Sequence, residues 1–529
     1  MSKKTNQVMI ESNKRFSELE IWKSQKAYYD AKGIEAFAED VPFYITSNPF
    51  IGRSYAELIL SFIQNWIQKN PVAEKEIFYI LELGTGTGQF SFYVLTYLKE
   101  LLDHAYLKNI KIKYIMSDIS ARSFEFWETH VALKPFFESN MLDFATYDLY
   151  QNSDIVLHRE KTVLSKNSIQ NPLILIANYL FDSIATDVFT AEDGKLYENK
   201  ASIFTEASNI QNGNIVHLEK IKIDYHQKVI ADRYYHNDFD SILFDYQKKL
   251  TDSHFQFPVA VLNALKNIRA LSNQKLLLLT SDKAYSNCGE LDHIDYPDLD
   301  FHGSFSVMVN YHAIGEYLKK SGGEYVVQAF RENIATGIFS SGFALSELPQ
   351  FKFSATQAIN GFSPTDYFML YEHFIENYKN CSLAVLASYL NLSVWDPGLF
   401  DTISDHLSLL AEKGDPEVVA YLSENMHRIA AHFYYLPSSN DILFDIGVYF
   451  QNIGHYSEAI QYYERSKFYY GINEVVEFNI GMCFYSLDQL EKALIYMKTA
   501  LQLNSKSIDT KKWIETIDKK LNHQSSIGK

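Results

Sequence analysis

The run Ile77-Phe78-Tyr79-Ile80-Leu81-Glu82-Leu83 passes without a break into Gly84-Thr85-Gly86-Thr87-Gly88, and then into a helix-periodic stretch, Phe90 to Leu102. A short apolar run of this kind is a buried strand, and closely spaced glycines after it permit a tight turn into the helix. That order puts backbone N–H groups and a helix N-terminus at the carboxyl edge of a sheet, where a nucleotide-like ligand is held. The spacing is G-x-G-x-G. A dinucleotide fingerprint needs G-x-G-x-x-G, but positions 89 and 90 are Gln and Phe, and no G-x-x-x-x-G-K-[ST] phosphate loop occurs.

Three more apolar runs follow: Ile112 to Met116 ending at Asp118, Leu173 to Ala177 ending at Asn178, and Lys275 to Thr280 ending at Ser281-Asp282. Strands alternating with helical patterns indicate βαβ units and a parallel sheet. Between the last two runs lies an insertion of about 190–257, with Asp193-Gly194 and Asn212-Gly213 as hairpin signals, read as β-rich and then helical. Ser306 to Val309 and Tyr325 to Gln328 flank a further helix ending at Gly322-Gly323.

From about Phe351 the pattern is helical throughout, and positions 34 apart match: Phe444 with Phe478, Ile446 with Ile480, Gly447 with Gly481, Phe450 with Phe484 and Ala459 with Ala493. This period, with small residues at fixed offsets, is the tetratricopeptide pattern, a helical hairpin that buries its face only by stacking. The helices around Val418 to Phe433 and Thr510 to Leu521 are the expected caps. The organisation expected is a helical segment over 1–70, a sheet domain over 71–345, a helical connector over 346–436, two repeats over 437–505, and a capping helix and tail over 506–529.

Composition sets limits on partners. The chain has 529 residues, enough for two to four domains, and a net charge of −17, which argues against nucleic acid or an anionic membrane as the main partner. Its cysteines, Cys288, Cys381 and Cys483, share no short spacing, so neither a disulfide framework nor a Cys-rich zinc site is expected. Met1 to Thr5 lead into polar residues and no apolar stretch approaches a membrane span, so no signal peptide is expected, and the location expected is cytoplasmic.

Glu82-x-Gly84-x-Gly86-x-Gly88 resembles motif I of class I S-adenosylmethionine (SAM) methyltransferases. Asp118-Ile119-Ser120 is similar to the acid-x-Ser pattern of the MidA-like branch, which includes a complex I assembly factor that methylates a protein arginine. Ala177-Asn178-Tyr179-Leu180-Phe181-Asp182-Ser183-Ile184 resembles that branch's A-N-E-x-x-D-A-L/I-P motif. Phe43 to Ser47 resembles its N-terminal segment over the cofactor, and His302-Gly303 with Phe305 to Tyr311 its late strand and helix. The resemblance implies an α/β Rossmann-like SAM methyltransferase domain with a β-rich insertion, joined to an all-α C-terminal repeat domain.

It also implies roles. Glu82, Gly84, Thr85, Gly86 and Gly88 would cradle SAM, Asp118 would take the ribose hydroxyls, and Asp143 the adenine. Asn178 would lie near the transferring methyl, and Asn178 and Asp182 would be the catalytic pair. A carboxylate suits a cis-diol because it accepts two hydrogen bonds. One departure stands out: Tyr179 replaces the acidic residue, and the Pro expected near Ala185-Thr186 is missing. Without that acid, a cationic acceptor such as guanidinium loses its base. Two functions follow: a methyltransferase whose repeats recruit a protein substrate, or an inactive SAM-binding scaffold whose repeats are the working surface. The acidic runs around Asp292 to His302 and Asp232 to Asp240 read as solvated loops, Cys288 as a free thiol, and Trp22 and Trp395 as core aromatics; no metal site is expected.

Overall fold

A computed structural model of the chain describes residues 7–35, 47–105, 107, 109–151, 154–211, 214–236, 238–302, 304–328 and 334–527. Two compact units divide it, Met1–Met369 and Leu370–Lys529. The main strands of the first unit are β1 (Gln7–Arg15), β2 (Phe78–Leu83), β3 (Ile112–Asp118), β4 (Leu142–Thr146), β5 (Leu173–Asn178), β6 (Asp187–Glu192), β7 (Lys195–Glu206), β8 (Lys222–Val229), β9 (Asp252–Phe257), β10 (Leu276–Asp282), β11 (Tyr325–Val327) and β12 (Ala335–Ser341).

Seven of these form one sheet in the order β11-β12-β10-β5-β2-β3-β4. The pairs β2/β3, β2/β5, β3/β4 and β5/β10 are parallel. β12 runs antiparallel to both β10 and β11. Both faces of β5 and β10 are covered, which is why each reads as an unbroken apolar run. The chain steps from β2 outward to β3 and β4, then returns to β5 on the other side of β2. The order therefore reverses between β2 and β5, and a ligand site belongs at the carboxyl ends of those strands.

Helix α1 (Glu20–Lys32) precedes this sheet, and α2 (Pro49–Lys69) packs against α3 (Gln89–His104). The contact between α2 and α3 is close at Gly52, where a Cβ would lie 2.4 Å from Tyr93 Cβ. Asn48 starts α2, its Oδ1 accepting from the Ile51 N–H at 3.1 Å, with Pro49 in the first turn.

The segment 187–257 builds a second sheet with strand order β1-β7-β6-β9, and β8 also pairs with β7. Here the expectation of a helical 1–70 is corrected, because the described chain opens on β1, antiparallel to β7 from Gln7↔Glu206 to Arg15↔Lys200. Most of β1 is exposed, so it lacks an apolar alternation, and its partner lies far along the chain. The connector expected over 346–436 is helical, but it is divided between the two units. Helix α4 (Pro349–Asn360) packs into the first unit, where Phe351 meets Phe62 with ring centroids 5.3 Å apart and its N–H donates to Asn65 Oδ1 at 3.1 Å. The boundary between units falls inside helix α5 (Pro364–Asn377).

The second unit continues through α6 (Leu383–Leu392), α7 (Pro397–Ala411), α8 (Pro416–His432), α9 (Ile442–Asn452), α10 (Tyr456–Tyr470), α11 (Glu474–Ser486), α12 (Leu490–Leu503) and α13 (Ile508–Ile527). The 34-residue period has a direct packing cause in the hairpins α9/α10 and α11/α12. A Cβ at Gly447 would lie 2.6 Å from the Tyr463 ring, and one at Gly481 would lie 3.1 Å from Met497. Ala459, Ser466, Ala493 and Ala500 are fully buried on the partner helices, where larger side chains would force each pair apart.

Candidate functional site

A cleft of about 1350 Å³, counting its open mouth, lies at the carboxyl ends of β2, β3, β4 and β5. The loop Gly84 to Thr87 forms its floor. Asp118 and Ile119 follow β3, Tyr147 to Tyr150 follow β4, and Asn178 to Leu180 end β5. Trp22, Gln25, Lys26 and Tyr29 of α1 make a further wall.

Gly84, Gly86 and Gly88 have φ of +63°, +59° and +82°, a region that side chains strain to adopt. A Cβ at Gly84 would also come to 3.0 Å from Leu180 Cδ1. Neighbours fasten the loop. The Thr85 N–H donates to the Ser117 carbonyl and the Ser117 N–H to Thr85 Oγ1, both at 3.0 Å. Trp127 Nε1 donates to the Gly86 carbonyl at 3.0 Å. Gly88 caps α3 and does not line the cleft.

Asp118 is half-buried at the end of β3. Its Oδ2 accepts from the Gly86 N–H at 3.3 Å and its Oδ1 from the Ile119 N–H at 2.7 Å. Burial pushes this carboxyl up to about 6, against the pull of those N–H groups. Glu82 lies beneath the loop, its Oε2 accepting from Tyr114 OH at 2.7 Å and from Ser91 Oγ. Burial, with a smaller contribution from the charge of Asp118, pushes it up to about 7.

Asn178 faces the glycine loop from β5. Its Oδ1 accepts from Tyr55 OH at 2.7 Å and from the Ser281 N–H at 3.0 Å. Its Nδ2 is buried with no hydrogen-bond partner among the described residues. Tyr179 follows with φ of +49°, its N–H donating to the Ser281 carbonyl at 2.9 Å.

Besides Gly88, two expected site residues lie elsewhere. Asp143 is fully buried on β4 and does not line the cleft. Its carboxylate accepts from the N–H groups of Phe144, Arg159 and Glu160 at 2.8, 2.9 and 3.0 Å, so it orders the chain after β4. The acid that reaches the cleft on this side is Asp148, just beyond the end of β4, paired with Lys26 of α1. Burial opposes the charge of Asp148, but Lys26 and the Tyr150 N–H hold it below its ordinary value. Asp182 is buried in the 181–183 turn behind the cleft wall. Neither is Asp182 the cap of that turn: Asp282 Oδ2 accepts from the Phe181 and Asp182 N–H groups at 2.8 and 3.2 Å.

The expected N-terminal cover, Phe43 to Thr46, lies outside the described residues, as does Gly303; Ser47 lines the cleft. Sequence reading also missed the α1 wall. Its signal was the spacing of Trp22, Gln25, Lys26 and Tyr29, which places them on one helix face. Trp22 is both core and wall: it is 5% exposed, and its ring lies 4.9 Å from Phe305. Among the described residues no three His, Cys, Asp or Glu side chains are placed to hold a metal ion, and no helix is long and apolar enough to cross a membrane.

Residues 58–264 match the model of a family described as "Putative S-adenosyl-L-methionine-dependent methyltransferase". By this match, that segment of the first unit is similar to a SAM-dependent methyltransferase domain. Residues 478–507 match the tetratricopeptide repeat. No curated protein matches the sequence. Among solved structures, a COG1565 superfamily member from Burkholderia thailandensis bound to S-adenosyl-homocysteine is 12% identical, over 62% of this chain and 88% of that chain, with a TM-score of 0.39. The N-methyltransferase NodS from Bradyrhizobium japonicum WM9, in complex with S-adenosyl-l-homocysteine, is 11% identical over 61% and 99%, with a TM-score of 0.27. Both scores are below 0.5, so the assignment rests on the family match and on the cleft itself.

The residues present fit SAM. The loop holds Gly84 at a positive φ against the Leu180 side chain, a carboxylate stands at the strand end where a ribose diol would lie, and Asn178 keeps an unused buried donor.

Proposed function

We propose that the chain transfers a methyl group from SAM to a protein that its C-terminal repeats help to recruit. The observation that carries this reading is the fastened glycine loop facing Asp118 and the unpartnered Asn178 Nδ2 across one cleft. In it, Gly84 to Gly86 lie against the methionine half of SAM, Asp118 accepts from the ribose hydroxyls, and Ile119 gives the base an apolar surface. SAM supplies a methyl group made electrophilic by its sulfonium. The protein's part is to fix the reactants in line, to exclude water and to settle where the acceptor's proton goes.

On that last point one observation favours a second reading, an inactive SAM-binding scaffold. Asp182 is withdrawn from the cleft, Tyr179 replaces the family's acid, and Asp148 is paired with Lys26. The test uses SAM labelled in its methyl group, incubated with the full chain and a cell extract. The methyltransferase reading predicts label in acid-precipitable protein that depends on Asp118. SAM binding without any transfer of label would favour the scaffold.

A further inference from the structure

Tyr55 lies on α2, outside every motif named above, and its ring is 1% exposed. The ring stands edge-on to Phe90, a cleft residue, with centroids 5.3 Å apart. Burial keeps its phenol protonated, so the hydroxyl is a donor at neutral pH.

A directed chain of hydrogen bonds runs through it. Tyr55 OH donates to Asn178 Oδ1 at 2.7 Å. Having spent its proton there, it accepts from Ser281 Oγ at 3.0 Å, and Ser281 Oγ in turn accepts from Thr336 Oγ1 at 2.9 Å. The Ser281 N–H, a group that can only donate, also points at Asn178 Oδ1, at 3.0 Å. The carboxamide therefore has one possible orientation. Both acceptor positions of Oδ1 are filled, and the buried Nδ2 is left over. A buried donor left unmade is costly, so a protein that spends three elements on producing one has a use for it.

Resting on the methyltransferase reading above, we infer that Tyr55 is a positioning residue, which with Ser281 and Thr336 locks Asn178 so that its Nδ2 donates to the reactive half of the bound cofactor. The four residues come from α2, β5, β10 and β12, so the device needs the assembled sheet. Asn178 and Ser281 are register partners on β5 and β10, and the close contact of α2 with α3 at Gly52 brings the phenol to them.

The experiment is a double-mutant cycle on the full chain, titrating S-adenosyl-homocysteine by calorimetry into the parent, Tyr55→Phe, Asn178→Ala and the double variant. Tyr55→Phe keeps the ring against Phe90 and removes only the hydroxyl. It should weaken binding by about tenfold, the size of one net hydrogen bond. In the Asn178→Ala background the same change should have no further effect, since the hydroxyl then has nothing to orient. A merely structural Tyr55 would give the same loss in both backgrounds, and that result overturns the proposal. Unaltered affinity in Tyr55→Phe overturns it as well. If Tyr55→Phe does not fold, Ser281→Ala repeats the cycle, because it removes the donor to Tyr55 and keeps the Ser281 N–H; additivity with Asn178→Ala is then the overturning result. A parent that binds no S-adenosyl-homocysteine fails the methyltransferase reading itself. A parent that binds it with Tyr55→Phe unaltered fails only the positioning role.

Discussion

The Gly86 N–H and Asp118 Oδ2 are 3.3 Å apart, so the middle of the glycine loop and the acid at the end of the next strand hold each other in place. This fixes both groups proposed to grip the cofactor to one piece of sheet edge. Replacing Asp118 by Ala should weaken SAM binding by roughly 1.5–3 kcal/mol, the worth of hydrogen bonds to a charged acceptor. In the parent, affinity should also fall as pH drops through about 6, where this carboxyl takes up its proton. Calorimetric titrations across that range test both, and Asp118→Ala should lose that step.

Glu82 links the same loop to stability. Its carboxyl moves from an ordinary 4.5 to about 7 on folding, chiefly through burial. Between those values the folded chain holds a proton that the unfolded chain has released. The group's stabilising contribution is therefore complete below about 4.5 and is lost as pH rises through 7. The span is on the order of 3 kcal/mol. Glu82→Gln should flatten the melting temperature between pH 4.5 and 7 and melt above the parent at pH 8. An unchanged slope would show that burial does not set this carboxyl.

The repeats offer a comparison of two glycines at the same place in the motif. A methyl group at Gly447 meets the buried Tyr463 ring at 2.6 Å, whereas at Gly481 it meets the flexible end of Met497 at 3.1 Å. Gly447→Ala should therefore destabilise the second unit by about 1–3 kcal/mol, as overpacking does. Gly481→Ala should be close to neutral, since Met yields and Ala favours helix. Denaturant melts of the two variants give the difference, and equal effects would contradict the packing account of the period.

What could be read in advance follows from burial. β2, β3, β5 and β10 are covered on both faces, so each shows as an apolar run ending at a site residue or its neighbour. β12 is equally buried, yet it carries Thr336, Ser340 and Ser341, whose hydroxyls find partners only in the folded sheet, and no hydrophobic pattern reveals it. Asp143 and Asp148 show the same limit at the site. Binding takes place at strand ends, and the sequence around Leu142 to Thr146 does not show where β4 stops. The glycine loop and Asp118 needed only local order, whereas the α1 wall and the Tyr55–Asn178 contact are made across more than a hundred residues.

The central claim is that SAM sits in the cleft floored by Gly84 to Gly86. Its most direct test is calorimetric titration of SAM into the full chain and into Gly86→Val. Valine strains at a φ of +59° and puts its side chain where the account would hold the methionine half. The account predicts one site per chain in the parent and no measurable binding in a folded Gly86→Val. Undiminished affinity in that variant, or none in the parent, would contradict it.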